Sequence, residues 1–160
     1  MSVDHPGIQV AVVMEREAHP NQWEDWRFSV ADVLVDEGGL GESRMLRDDG
    51  QRRQTLHAGF VLALFKDEGE GYYLNLTSGA PVWFVMWRMD EGDASSAHPE
   101  AVSLSYNEAG RWLDAQERVD NVPLPAAVLE WLQAFTDANY KPEPKERKRP
   151  ASFVSPGQRK

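Results

Sequence analysis

Residues 82–89, VWFVMWRM, carry large apolar side chains on both faces of any strand they form. Successive strand side chains alternate, so Val82, Phe84, Met86 and Arg88 share one face and Trp83, Val85, Trp87 and Met89 the other. Such a strand belongs in the middle of a sheet with something packed on each side. Most of these side chains are therefore core. Arg88 is the exception, because a guanidinium among them needs a carboxylate or carbonyl partner, or must reach the rim.

Short apolar segments elsewhere supply the sheet. Residues 8–14, IQVAVVM, are β-branched and read as a strand, and residues 26–37, WRFSVADVLVDE, as a second that dissolves into EGGLGES. RDDGQRRQ, 47–54, reads as a polar turn into the next strand, GFVLALF, 59–65. KDEGEG, 66–71, reads as a hairpin turn, after which YYLNLT returns and SGAP turns again into 82–89. These three strands form a meander in this reading. DEGDASSAHPE, 90–100, reads as a polar loop and AVSLSY, 101–106, as another strand. Asn107 is placed to cap a short helix, and residues 117–125, ERVDNVPLP, are held extended by their prolines.

Pro125 suits the first turn of a last helix. Val128, Leu132 and Phe135 form its stripe, with Trp131 and Leu124 at the edges, and Lys141-Pro142 ends it. The expected fold is α+β, mainly β: an antiparallel sheet or barrel of about six strands closed by a C-terminal amphipathic helix. Residues 1–140 make one globular domain, and residues 141–160 a basic, Pro-rich flexible tail.

Charge separates the same two parts. Residues 1–140 hold 10 Lys/Arg against 24 Asp/Glu, and residues 141–160 hold 7 against 2. A body with a net charge of 10 − 24 = −14 repels phosphate backbones, which argues against nucleic-acid binding. The tail, at 7 − 2 = +5, suits an acidic protein surface. No run approaches the roughly 20 apolar residues of a membrane span. The start, MSVDHPGIQV, lacks a basic and then apolar leader, so a cytoplasmic location is expected.

The residues suggest binding rather than turnover. With no Cys there is no thiolate zinc site, iron–sulfur cluster or Cys nucleophile. His5, His19, His57 and His98 lack metal-ligand spacing, and no strained nucleophile elbow of the G-x-S-x-G kind occurs. Asp67, Glu68 and Glu70 cluster as wet turn residues do. No catalytic residue, metal ligand or cofactor is expected. Trp23 and Trp26, with the adjacent Arg27, have the chemistry of interface anchors. Tyr72, Asn75, Trp87 and Arg88 offer stacking faces and a polar handle for a pterin- or nucleotide-like ligand.

VVMERE with QWEDW, then EGYYLNLTSGAPVWFVMWRMDE, SYNEAGRWLDA and ERVDNVPLP resemble the proteobacterial family called domain of unknown function 3305, over about residues 8–140. Members of that family tend to be encoded beside molybdenum-dependent formate dehydrogenase subunits and their maturation factors. The resemblance implies a non-enzymatic accessory, maturation or assembly factor for that enzyme, whose partner is one of its subunits or another maturation protein. It carries no established site residues. Some members are labelled molybdopterin guanylyltransferases, a third reading. GGLGESRM, 38–45, is similar to the phosphate loop of such enzymes, but one residue too long, and Leu46, Arg47, Asp48 and Asp49 replace the Gly and Lys that should follow Arg-Met. Carboxylates there repel a triphosphate.

Overall fold

The computed structural model describes residues 6–18, 26–90 and 93–142, with the backbone alone for residues 26 and 93–96. Two antiparallel sheets share the core. In the first, β1 (Gly7–Ala18) lies between β2 (Trp26–Val35) and β4 (Arg52–Ala63), and β3 (Arg44–Asp48) pairs with β4 at its far edge. In the second, β5 (Val82–Asp90) lies between β6 (Asp93–Ser103) and β7 (Arg118–Pro123). β5 is the doubly apolar segment, and it holds the central position its pattern demands.

One face of each sheet turns toward the other. Val10, Val12 and Met14 of β1 share a cluster with Trp83, Val85 and Trp87 of β5. The outer face of β1 carries Ala11 and Val13, which pack on Leu56, Leu34 and Leu40. Gly59 decides which β4 side chains face where. Val10 pairs with Phe60 but Val12 with His57, so two β4 residues oppose Ala11 alone. Gly59 sits in this bulge at φ +93, a backbone that a side chain resists. The extra residue turns Leu56 and Ala58 to the outer face and Phe60 and Leu62 to the inner one.

Three helices cover the ends and the second sheet. The last, α3 (Ala126–Asn139), begins behind Pro125 as the sequence predicts, and Val128 and Leu132 join the cluster that holds Trp83 and Trp87. The helix α2 (Tyr106–Asp114) is capped by Ser105, whose Oγ accepts from the Glu108 N–H; Asn107 lies inside the helix. Tyr106 meets the ring of Phe84 edge-on at 6.3 Å, so the second face of β5 is covered as well.

Several expectations are corrected. Lys66–Glu68 is a 3₁₀ turn and Gly69–Leu76 is a helix, α1; the hairpin at 66–71 and the strand at 72–77 do not exist. The alternation in YYLNLT imitated a strand, but the buried pair Tyr72 and Asn75 lies three apart, one helical face. Consequently the meander is absent, and β4 and β5 lie in different sheets joined through α1. Residues 93–103 form edge strand β6, where Pro99 removes no central ladder bond. Among the described residues there are seven strands where about six were expected, and no closed barrel: the two sheets are separate ladders. In the 47–54 segment the turn is real, with the Asp48 and Asp49 carboxylates accepting from the N–H groups of Gly50, Gln51 and Arg52. A short strand, β3, precedes it, so the loop reading of 38–45 holds only as far as Ser43.

Candidate functional site

The residues proposed from sequence for a small ligand are not brought together. Tyr72 is buried, accepts a hydrogen bond from the Phe65 N–H at 2.9 Å, and meets Phe135 edge-on. Burial pushes its phenol up to about 12. Asn75 is 1% exposed and fully engaged: its amide donates to the carbonyls of Val82 and Leu104 and accepts from the Val82 N–H. It ties α1 to the start of β5 and the end of β6. Trp87 is buried, and the Arg118 guanidinium lies 5.3 Å from its ring centroid.

Arg88 reaches the rim, as expected of a cation on that strand. It forms a two-pronged pair with Glu117, at 2.7 and 3.1 Å, and Glu100 stands 3.9 Å away. The Glu117 hydrogen bonds raise its pKa, and the same bonds hold the Glu117 carboxyl below its ordinary range. Each of the four residues therefore serves the fold or a local pair. The acidic turn is similar. Glu68 accepts from the Ser105 hydroxyl at 2.6 Å and from Arg111 at 2.7 Å, which docks α1 against α2.

Of the proposed interface anchors, Arg27 is exposed near the start of β2, opposite Glu17 of β1. Trp23 and the side chain of Trp26 lie outside the described residues.

The arrangement with binding capacity is elsewhere. β2 is an edge strand of the first sheet and β7 an edge strand of the second. The two edges touch at Val30, whose N–H donates to the Asp120 carboxylate at 2.8 Å. Beyond that point they diverge around a cleft of about 610 Å³. Its walls are Asp32–Val35 on one side and Pro123–Pro125 on the other, with Val128 and Trp131 of α3 between them. The lining is mainly apolar, and the carboxylates of Asp32 and Glu37 stand at it, both exposed. Volume and lining fall in the range of sites that hold a small molecule or a short segment of another chain.

Sequence reasoning missed this cleft, although its parts were in view. Leu124 and Trp131 lie at the edges of the α3 stripe, and a stripe edge is where apolar surface is left over when the centre is buried. That β2 and β7 splay apart beside it depends on pairing that no local pattern states.

No helix among the described residues is long and apolar enough to cross a membrane. No curated protein and no solved structure matches the chain. The family model described as protein of unknown function (DUF3305) matches residues 9–149, nearly the whole length, and the chain belongs to that family.

Proposed function

We propose that this protein is a non-enzymatic accessory factor in the maturation or assembly of a molybdenum-dependent formate dehydrogenase, and that it works by binding a protein partner. The observation that carries the binding role is the apolar cleft where β2 and β7 diverge, open along one strand edge and floored by α3. The enzyme setting comes from the gene neighbourhoods of the family resembled in sequence. The partner is a dehydrogenase subunit or another maturation protein. The basic tail gives it a second, salt-sensitive contact on an acidic surface.

Two surfaces compete for the role of anchor, the cleft and the Trp23–Arg27 segment. Affinity purification from a host expressing the dehydrogenase tests both. Ala127 is exposed and lines the cleft, so Ala127→Arg fills the opening while keeping a good helix former. Capture of a dehydrogenase subunit or maturation protein by the unaltered chain, lost with Ala127→Arg, supports the cleft. Loss with Arg27→Glu instead assigns the contact to the 23–27 segment. Recovery of neither protein, while active enzyme is being made, overturns the proposal.

The cleft volume also suits the alternative of a pterin- or nucleotide-like ligand, which would lie against Trp131 rather than among Tyr72, Asn75, Trp87 and Arg88. A melting shift with free GTP or a reduced pterin, abolished by Ala127→Arg, distinguishes it.

A further inference from the structure

We infer that the cleft accepts an extended segment of a partner polypeptide as an added strand on the free edge of β2, and that it selects an apolar segment flanked by Lys or Arg. The inference rests on the reading of the cleft as a docking surface and specifies what it docks.

The backbone register supplies the first argument. The Asp36 N–H donates to the Gln9 carbonyl, which makes 9 and 36 a hydrogen-bonded pair. Hydrogen-bonded pairs recur every second residue in an antiparallel ladder. Residues 34 and 32 therefore bond to β1, and Val33 and Val35 turn their N–H and C=O groups outward, to the cleft side. The Val33 N–H is already taken by the Asp32 carboxylate at 2.8 Å, as that of Val30 is by Asp120. These two carboxylates close the edge up to Val33. The outward carbonyl of Val33 and both outward groups of Val35 stand beyond them. An added strand uses such groups.

Charge and shape supply the second. Asp32 and Glu37 stand at the two ends of this stretch on a body whose net charge is −14, from 10 basic and 24 acidic residues. Basic flanks on the incoming segment complement them, and acidic flanks are repelled. Alternate side chains of an added strand point inward, where Val128 and Trp131 offer apolar surface.

The test uses the full chain, isotope-labelled, and synthetic decapeptides of alternating valine and threonine. One has arginine at both ends, one glutamate at both ends. A third repeats the arginine sequence with alternate backbone nitrogens methylated, which removes edge donors and leaves the side chains. The expected result is binding of the arginine-ended peptide with shifts at the Val35 amide and the Trp131 indole. Affinity then drops at least about tenfold on methylation, on exchange to glutamate, and with Ala127→Arg. Equal binding of the methylated peptide overturns strand addition, and equal binding of the glutamate-ended peptide overturns the charge selection. Shifts confined to other residues overturn the site. If deleting residues 143–160 exposes the Val35 amide to exchange, or if dilution does, the occupant is the chain's own tail or a second copy, and the partner assignment is wrong. Failure here with dehydrogenase capture intact leaves the functional proposal standing. Peptide binding with no capture leaves the strand site standing and removes the function.

Discussion

Gly71 sits where α1 crosses the start of α2, and a Cβ built on it would lie 2.0 Å from the Ser105 Oγ and 3.1 Å from the Asn107 backbone nitrogen. Ser105 cannot yield, because it is fully buried, caps α2 and donates to Glu68. Gly71→Ala gains helix propensity of about 1 kcal/mol but forces two packed helices apart, a cost of about 1–3 kcal/mol or more. Lower thermal stability is expected despite the better helix former. Gly110, which meets nothing within 4 Å of its added Cβ, is the control: Gly110→Ala should raise the melting temperature. His57 raises a separate residue-scale question. It lies half-buried on the inner face of β4, and burial, then the neighbouring charge of His98, lowers its pKa from 6.5. A lowered imidazole pKa means that the unfolded chain binds the proton first. Stability is full above 6.5 and falls as the pH drops from there toward the lower folded value. Denaturant titrations between pH 7.5 and 5.5 should show this loss, and His57→Gln should flatten it; an equal slope in the variant excludes His57 as its source.

Among elements, α3 is the one whose contribution is most direct to measure. Leu132 is fully buried and Val128 nearly so, and Phe135 packs against Tyr72 of α1. Leu132→Ala removes a large side chain from the cluster that joins both sheets, so a loss of about 2–5 kcal/mol is expected by chemical denaturation. A loss below about 1 kcal/mol would show that the helix rests on the sheets without closing them. The edge strands illustrate a different constraint. β2 protects its outer edge with a bulge at Ala31, between the Val13–Asp32 and Met14–Val30 pairs, and with carboxylates on Val30 and Val33, devices that deter unwanted pairing. Among the described residues no carboxylate closes the edge at Val35, beside the apolar cleft. That difference is the reason the cleft attracts a functional reading.

For the whole molecule, the separation of charge between body and tail suggests a separation of labour. Residues 143–160 lie beyond α3 and hold only Phe153 and Val154 as larger apolar residues. Deleting them should leave the melting temperature within about 1 °C while weakening capture of an acidic partner, more at low salt than at high. A large drop in melting temperature would place the tail within the core instead.

How much of this was legible in advance follows from which interactions are local. The burial of residues 82–87, a last helix beginning near Pro125 and the polar turn before Arg52 depend on side-chain alternation, helical spacing and backbone chemistry that a few adjacent residues carry. Those readings held. Tyr72 and Asn75 fit a strand or a helix equally well by pattern. The choice fell to the helix because Asn75 satisfies three backbone groups from two other segments, and because Gly69 and Gly71 admit Tyr140 and Ser105 at close range. The polar stretch 93–100 became a strand because β5 needed an edge partner. The division into two sheets, the face reversal at Gly59 and the cleft between β2 and β7 were decided by long-range pairing. The sequence by itself determined which segments had to be buried; only the tertiary structure decided which strand edges met and which were left apart, because backbone hydrogen bonds between strands carry no residue-specific signature.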